Sequence, residues 1–392
     1  MHRGLTAGVL AVVVASLQAP SVLAAQARDT VSLSKAWSTL EISEAVTDSL
    51  VDPSGLAVDR AGRIYISDAK SARIWVLSDA GHLIGAIGRR GRGPGEFENP
   101  TGVAIGPDGA LYVRDVQKVS RFIPGGRANV PWAFDRSFTL PAMADVNSRL
   151  PTRFSSDNRL HLPSFNSVRD SASTGWYRAY TLRGQLLDSL RVPREKNAPS
   201  STAWVRTGHG GGDVLPGLNS VPFASFPHWD VSRTGTLIYH DGVSATIREI
   251  DSKGREVRKI SIAARAVPIA RRERAESLQA LRKRVDALRA PRSAVHGIPQ
   301  EVWDLELPLN YPMLQGLFAE SDGSIWLQRW TASDQRRTVF DVLDSNGVLT
   351  TTVILPGTVL STPAPVLTRS DIVTLQVDTE TGLFSVVRYR KR

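Results

Sequence analysis

Apolar and polar residues alternate in short runs along the chain, and the same arrangement recurs. Residues 53–68 (PSGLAVDRAGRIYISD) align without a gap to residues 100–115 (PTGVAIGPDGALYVRD), and residues 316–329 (GLFAESDGSIWLQR) repeat the frame. Each segment has an apolar run, a polar turn and a second apolar run. This alternation about a turn predicts a β-hairpin in each segment.

Three weaker copies, at residues 154–162, 231–239 and 366–374, follow the same frame. The first residues of the six predicted second strands are Ile64, Leu111, Leu160, Leu237, Ile325 and Ile372. They are separated by 47, 49, 77, 88 and 47 residues. A period in the forties with four strands per unit is typical of a β-propeller blade, and the two long separations indicate a unit plus an insertion. The sequence therefore predicts an all-β, six-bladed β-propeller over residues 31–392.

The ends of the chain are predicted to meet in one blade. Third strands, such as residues 73–77 and 119–123, follow each hairpin, and a turn then leads to a fourth strand. The sixth unit ends after its third strand, at residues 383–389. Residues 37–42 (WSTLEI) precede the first hairpin, and we predict that this N-terminal strand pairs with residues 383–389. This pairing closes the ring and covers its last open sheet edge.

Residues 52–140 carry the best-preserved motifs of the repeat. These are Pro-x-Gly-(Leu/Val)-Ala, Gly-x-(Ile/Leu)-Tyr-(Ile/Val)-x-Asp and Gly-x-Gly-x-Gly-Glu-Phe-x-x-Pro. The motifs resemble the NHL repeat, and the chain resembles secreted bacterial six-bladed propellers of this type. The resemblance implies that the loops of one face surround a central channel and that a ligand binds there.

Residues 88–95 (GRRGRGPG) are rich in glycine and arginine, and they could bind phosphate or connect two blades. A phosphate-binding glycine loop follows a strand and opens a helix whose N-terminus faces the phosphate. This stretch leads instead to Phe97, Pro100 and another strand, and no Lys-Ser/Thr pair follows it. We therefore predict a connector in which the glycines permit the turn and Phe97 packs between blades.

The N-terminus has a different pattern from the repeats. Arg3 precedes an apolar run over residues 5–17 and a run of small residues, which predicts a secretory signal peptide over residues 1–25. The apolar run is too short for a membrane span, and no later run is long enough. The chain has no cysteine, and therefore neither disulfides nor a thiol for lipid attachment. These features predict a periplasmic or secreted bacterial protein after cleavage.

The net charge of +10 is concentrated in one segment. Residues 265–292 hold nine basic and three acidic residues, so six of the ten excess positive charges lie there. The rest of the chain is close to balance, which argues against a surface for specific nucleic-acid binding.

The two long separations predict two insertions. Residues 193–227 predict a long irregular loop. Residues 265–300 predict a basic helical insertion, because an apolar stripe at helical spacing runs through residues 269–290. The helix either lies across one propeller face with its arginines in solvent, or binds an anionic partner or a membrane surface.

Candidate ligand-binding residues lie where second strands end and inner strands begin, because both positions are expected at the channel mouth. They are Arg114, Arg153, His228, Trp229, Asp241 and Arg329. The three arginines interrupt the repeat consensus and could bind a carboxylate or a phosphate bidentately. Asp68 and Asp115 belong to the repeat itself and are expected to accept backbone hydrogen bonds.

Histidines offer a second kind of site. Some relatives of the NHL repeat are lyases that act on amidated peptides with zinc held by channel histidines. His161, His228 and His240 come from the third and fourth units. Three neutral imidazoles with an open coordination position would suit catalytic zinc. Calcium is the alternative metal. No spacing among them is diagnostic, and the family's full histidine set has no residue-by-residue match here.

Two functions follow from this pattern. The first is an exported, non-catalytic scaffold that binds a protein or a small anionic ligand through the top face of the channel, without a cofactor. The alternative is a metal-dependent lyase or hydrolase, amidating-lyase-like or lactonase-like, with its site in the channel mouth. The sequence contains no Gly-x-Ser-x-Gly elbow and no nucleophile–base spacing that favours the enzyme. We expect a monomer.

Overall fold

A computed structural model describes most of the chain. The described ranges are 29–42, 44–127, 130–140, 150–165, 175–193, 221–263, 266–287, 306–332, 335–367, 371–378 and 381–390. The predicted signal peptide (1–25) lies outside the described residues. So do residues 194–220 of the predicted loop insertion and residues 265 and 288–300 of the predicted basic insertion.

Blades 1 to 3 follow an N-terminal segment. That segment consists of β1 (Asp29–Ser32), β2 (Ser34–Ser38), α1 (Thr39–Ile42) and α2 (Glu44–Ser49). Blade 1 consists of β3 (Pro53–Val58), β4 (Ile64–Asp68), β5 (Arg73–Leu77) and β6 (Leu83–Ile87). Blade 2 consists of β7 (Gly102–Ile105), β8 (Leu111–Arg114), β9 (Lys118–Arg127) and β10 (Val130–Thr139). Blade 3 consists of β11 (Arg153–Phe154), β12 (Leu160–Phe165), β13 (Gly175–Tyr180) and β14 (Leu186–Arg191).

Blades 4 to 6 complete the ring. Blade 4 consists of β15 (His228–Val231), β16 (Leu237–His240), β17 (Thr246–Ile250) and β18 (Glu256–Ser261), and it is followed by α3 (Arg271–Ala287). Blade 5 contains β19 (Gly316–Ala319), β20 (Ile325–Arg329), β21 (Arg337–Leu343) and β22 (Leu349–Pro356). Blade 6 contains β23 (Val366–Leu367), β24 (Asp371–Val377) and β25 (Phe384–Arg390).

The strands of each blade are antiparallel and follow chain order from the inner strand outwards. The inner strands of neighbouring blades contact one another, as β3 contacts β7 and β15 contacts β19. β2 is the fourth strand of blade 6, so the predicted fold of six four-stranded blades is confirmed. Five of the six second strands begin at the predicted residue, and β24 begins one residue earlier, at Asp371.

The N-terminal strand closes the ring, but it lies earlier in the chain than predicted. β2 pairs antiparallel with β25, so that Trp37 lies opposite Arg388 and Ser38 opposite Val387. The strand then stops, because Thr39 begins α1 and its Oγ1 accepts the Val386 N–H over 3.0 Å. The predicted strand over residues 37–42 is therefore corrected to Ser34–Ser38, with its role in closure unchanged.

A fifth strand on blade 5 was not predicted. β1 lies parallel to β22, and the Leu33 N–H after it donates to the Ile354 carbonyl over 3.0 Å. Leu33 is buried in the core between blades 5 and 6, whereas all four β1 side chains are exposed. The N-terminal segment therefore covers the outer edges of two neighbouring blades in succession.

The glycine- and arginine-rich stretch is a connector between blades 1 and 2, as predicted. Phe97 is fully buried among apolar side chains of both blades, and its N–H donates to the Arg89 carbonyl over 2.9 Å. The loop's arginines pair with its own acids, Arg89 with Glu96 and Arg92 with Glu98. Gly88 has a φ of 79°, and a Cβ there would lie 2.3 Å from the Phe97 ring, so glycine is needed for this turn.

The predicted basic helix is present as α3. Leu281 on its apolar stripe is fully buried, and Arg271 and Arg272 are exposed. Within the described ranges, no helix combines the length and the apolar character that crossing a bilayer requires.

Candidate functional site

A cavity of about 400 Å³ lies at one end of the central channel. Its walls come from the segments that lead into the inner strands of blades 3 to 6. We call this end the top face. Of the predicted ligand-binding residues, His228 and Trp229 line the cavity, together with Gln315, Trp330 and Ser361. None of its described lining residues has a charged side chain, and apolar and aromatic groups predominate, as in many small-molecule sites.

One backbone carbonyl orients two rings of the cavity wall. His228 Nε2 lies 3.1 Å from the carbonyl oxygen of Leu314, and Trp330 Nε1 donates to the same oxygen over 3.0 Å. Because a carbonyl only accepts hydrogen bonds, His228 Nε2 carries a proton. In the neutral ring Nδ1 is then an acceptor, and it has no hydrogen-bond partner among the described residues.

The His228 ring is held in its neutral form. Burial lowers the pKa of the imidazole from 6.5 to about 4, and the neighbouring His240 ring acts in the same direction. The bond to the Leu314 carbonyl opposes this change without cancelling it. His228 is therefore an uncharged hydrogen-bonding group over the physiological pH range.

Hydrogen bonds of the Gln328 side chain determine the orientation of the Gln315 side-chain amide. The fully buried Gln328 donates from Nε2 to the Val359 carbonyl over 2.9 Å and to Gln315 Oε1 over 3.1 Å. Since the Val359 carbonyl requires a donor, the orientation of the Gln328 amide is determined, and Gln315 must present its oxygen to it. The Gln315 NH2 group is left without a hydrogen-bond partner among the described residues.

The absence of a side chain at Gly316 allows this network to lie against the cavity. A Cβ at Gly316 would lie 2.6 Å from the Phe318 ring and 3.2 Å from Gln328 Oε1. The first distance is shorter than real Cβ contacts, so a larger residue would displace Phe318 from the cavity wall.

An aromatic row connects the cavity to the basic helix. Trp330 stacks on Tyr311 with 5.4 Å between ring centroids, and Phe223 meets Tyr311 edge-on at 5.5 Å. The Tyr311 hydroxyl contacts both carboxylate oxygens of Glu273 on α3, at 2.7 and 2.6 Å. Residues of the two predicted insertions, Phe223 and Glu273, thus support one wall of the channel mouth.

Arg153 is engaged by a buried carboxylate. Its Nε and one terminal nitrogen donate to the Asp230 carboxylate over 3.0 and 2.7 Å. Asp230 is completely buried and also accepts the N–H groups of Val231 and Ala319 over 2.8 and 3.0 Å. Burial alone would lower the pKa of Arg153, but the charge and hydrogen bonds of Asp230 outweigh it and raise the pKa. The pair connects blades 3, 4 and 5.

The other two predicted arginines also have partners within the propeller. Arg114 is buried, and its guanidinium donates to Thr101 Oγ1 over 3.1 Å and to the Pro163 carbonyl over 3.2 Å, which connects blades 2 and 3. Arg329 Nε donates to Asp341 Oδ2 over 2.6 Å, across the strands of blade 5. Neither arginine lines the cavity.

Aspartates at the ends of second strands organise the backbone. Asp241 Oδ1 accepts the N–H groups of Val243 and Ser244 over 2.8 and 2.7 Å. Burial raises the pKa of Asp241, but these two bonds, together with the Ser244 side chain and His240, outweigh it, and the net change is downwards. The predicted backbone role of Asp68 and Asp115 is confirmed. Their partners are the N–H groups of Val51, Asp52 and Ser71 for Asp68, and of Glu98 and Asn99 for Asp115.

The three candidate metal-binding histidines are not brought together. His228 and His240 are neighbours, with ring centroids 6.4 Å apart. Both nitrogens of His240 are engaged, Nε2 with the Ser244 carbonyl and Nδ1 with the Gly242 N–H. His161 lies instead beside Gly235, in the turn at the far end of β15 from His228. Within the described ranges, no group of three His, Cys, Asp or Glu side chains is arranged to hold a metal ion.

His161 makes the stability of the propeller depend on pH. Its ring is buried and bonds to Ser155 Oγ over 2.8 Å. Burial lowers the pKa of His161 from 6.5 to about 4, and the charge of Asp157 opposes this only in part. Between these values the unfolded chain binds a proton that the folded chain does not, so stability falls as the pH is lowered from 6.5 towards 4.

The substitution His161→Gln is therefore expected to reduce the loss of unfolding free energy between pH 7 and pH 4.5, by up to about 3 kcal/mol. Urea denaturation of both proteins at the two pH values measures the difference. Other groups titrate in both proteins, so only the difference between them reports on His161. Equal losses in both proteins would contradict the prediction.

Sequence reasoning missed Gln315 and Trp330. Gln315 directly precedes the inner strand β19, as Pro227 precedes β15, and Trp330 directly follows the second strand β20. His228 and Arg329 were predicted as the first residue of an inner strand and the last residue of a second strand. Gln315 and Trp330 each lie one residue outside such a position.

A protein-family match agrees with the fold. Residues 48–122, which span blade 1 and most of the first three strands of blade 2, match the DUF5128 family, described as a 6-bladed beta-propeller. No curated protein sequence matches the chain.

Solved structures similar to the chain have several different functions. A protein of Bacteroides fragilis described as exported is 11% identical, with a TM-score of 0.45 over 88% of this chain and 92% of that one. Regucalcin from Agrobacterium tumefaciens, a calcium-binding protein, is 11% identical, with a TM-score of 0.43 over 93% and 97%. Virginiamycin B lyase from Staphylococcus aureus is 12% identical, with a TM-score of 0.40 over 86% and 94%. At this level of similarity, none of them carries an argument about function.

Proposed function

We propose that the protein is a non-catalytic binding scaffold that takes a small uncharged ligand into the cavity at the top face of its channel. The observation that carries this proposal is the lining itself. The cavity of about 400 Å³ has aromatic walls, two oriented polar groups on His228 and Gln315, and no charge among its described lining residues. Such a surface favours neutral ligands, because a buried ion without a counter-ion loses its hydration without compensation.

The three arginines that were predicted to bind an anion are already bonded within the propeller, which favours an uncharged ligand over a small anion. Arg153 and Arg329 already bind Asp230 and Asp341, and Arg114 bonds to Thr101 and to the Pro163 carbonyl. To bind an anion, Arg153 and Arg329 would have to release a buried carboxylate, which is costly. The metal-dependent alternative remains an untested prediction, and the separation of His161 from the other histidines does not favour it.

We also propose that the protein is exported and that its repeat is of the NHL type. Export is supported by the signal-peptide pattern over residues 1–25. The NHL assignment is supported by the motifs of residues 52–140, whose aspartates hold the incoming chain in the same way in blades 1 and 2.

Filling part of the cavity is expected to weaken ligand binding. Ser361 lines the cavity, so Ser361→Trp should occupy part of its volume. We expect benzamide and acetophenone, two neutral aromatic probes, to bind the wild-type protein in the millimolar range, as their size implies. In the variant we expect binding to be at least about tenfold weaker. Ligand-observed NMR titration measures both proteins.

Thr358→Trp is the matched control, since Thr358 is exposed on the same segment and does not line the cavity. It should bind both probes as the wild type does. The proposal would be wrong if neither neutral probe bound the wild type, or if Ser361→Trp left their affinity unchanged.

A further inference from the structure

The polar groups of the cavity indicate which uncharged ligands it takes, an inference that rests on the proposed function. We propose that the cavity selects a carboxamide attached to an aromatic or apolar group, because the Gln315 NH2 group offers a donor, His228 Nδ1 offers an acceptor, and both residues line the cavity. The amide carbonyl would accept from Gln315, and the amide N–H would donate to His228.

The donor is defined by the network behind it. Gln328 Nε2 donates to Gln315 Oε1, and its other bond, to the Val359 carbonyl, fixes its orientation. Rotation of the Gln315 amide by half a turn would place two NH2 groups against each other, so the arrangement resists reversal. A ligand therefore meets an NH2 group at this position, and its best complement is a carbonyl oxygen.

The acceptor is defined in the same way. The Leu314 carbonyl requires the proton of His228 on Nε2, which leaves the lone pair on Nδ1. The groups around the ring are neutral: His240 bonds through both of its nitrogens, and Trp330 shares the Leu314 carbonyl. A ligand therefore meets an acceptor here, and its complement is an N–H or O–H donor.

A carboxamide carries both complements in one planar group, and its charged analogues carry only one each. A carboxylate accepts from Gln315 but places a lone pair against His228 Nδ1. An ammonium group donates to Nδ1 but places its protons against the Gln315 NH2 group. Each analogue thus loses one hydrogen bond and also buries a charge without a counter-ion. The rings of Phe226, Trp229 and Trp330 supply the surface for the apolar part.

Four probes of similar size test the proposal: benzamide, acetophenone, benzoate and benzylamine. Acetophenone replaces the amide NH2 with a methyl group, so we expect it to bind about 3- to 10-fold more weakly than benzamide. Benzoate and benzylamine should bind more than about 10-fold more weakly. N-acetyl-phenylalaninamide is added as a peptide-like amide, and its affinity relative to benzamide distinguishes a peptide source from a small free amide.

Two variants at Gln315 test the donor that this residue supplies. Gln315→Leu removes the donor to the carbonyl oxygen that benzamide and acetophenone share, so both should bind about 3- to 10-fold more weakly, and benzamide should keep its preference through His228. Gln315→Glu keeps an oxygen towards Gln328 and presents a carboxylate to the ligand, so benzylamine should then bind more tightly than benzamide. Gln117→Leu is the matched control, because Gln117 is an exposed glutamine of blade 2 away from the cavity. Thermal unfolding confirms that each variant is folded.

The outcomes separate this inference from the proposed function. If benzamide and acetophenone bind equally to the wild type, or Gln315→Leu leaves the affinity of benzamide unchanged, the inference is wrong while the cavity remains a binding site. If neither neutral probe binds the wild type, the proposed function is wrong and the inference falls with it.

Discussion

Replacing Asp230 with asparagine is expected to lower the free energy of unfolding by about 3–5 kcal/mol, the usual cost of removing one partner of a buried ion pair. The substitution leaves the Arg153 guanidinium without its anion. It also turns an NH2 group either towards Arg153 Nε and the Val231 N–H or towards Arg153 Nη2 and the Ala319 N–H, all of which need an acceptor. Urea denaturation followed by circular dichroism measures the change.

Two further variants show whether burial is the cause. Arg153→Met should cost less than Asp230→Asn, because the carboxylate keeps the Val231 and Ala319 N–H groups. Glu276→Gln breaks the pair with Arg272 on α3, whose side chains are both largely exposed, and it should leave the unfolding curve unchanged. If Asp230→Asn were as stable as Glu276→Gln, the bridge between the blades would contribute little.

The fold could be predicted because its information is local and repeated. A hairpin such as β3–β4 is encoded in sixteen consecutive residues, and its pattern of apolar runs and a turn recurs along the chain. The position of Phe97 between blades could be predicted for the same reason, since the glycine-rich motif that contains it lies between the first and second units of the repeat. Ring closure followed from a missing strand at one end and an extra strand at the other.

The partner of Arg153 and one partner of Arg114 could not be predicted, because they are distant from these arginines in the chain. Arg153 and Asp230 are 77 residues apart, and no local pattern indicates that β11 and β15 bring them together. Arg114 bonds to the Pro163 carbonyl, and a backbone acceptor leaves no trace in the sequence. A charged residue that interrupts a repeat can therefore bind a ligand or connect neighbouring blades, and only the packing of blades distinguishes the two.

The donor and acceptor roles of the cavity residues could not be predicted from the sequence either. The Val359 carbonyl determines the orientation of the Gln315 amide through Gln328. The Leu314 carbonyl directly determines which nitrogen of His228 carries the proton. The donor and acceptor character of the site thus depends on backbone positions in blades 5 and 6. Residue types alone give a glutamine and a histidine, each of which could donate or accept.

A chain that begins at Thr39 is expected to lose the cooperative fold, since it lacks β2. Without this strand, β25 has an open edge and the buried Val387 and Tyr389 lose their cover. Trp37, which packs on the core between blades 6 and 1 and donates to the Asp79 carbonyl over 3.1 Å, is also lost. The large apolar residue and the ladder bonds together are worth about 5 kcal/mol or more, which is comparable with the total stability of many domains.

A chain that begins at Leu33 is the matched control. It lacks the exposed strand β1 but keeps Leu33, which is buried, and all of β2. It should unfold in a single transition close to that of the full chain, because parallel pairing at an exposed edge adds little. Differential scanning calorimetry compares the three proteins. If the chain from Thr39 showed the same transition as the chain from Leu33, α1, α2 and the contacts of Arg388 with Asp79 and Asp371 would suffice to hold blade 6 against blade 1.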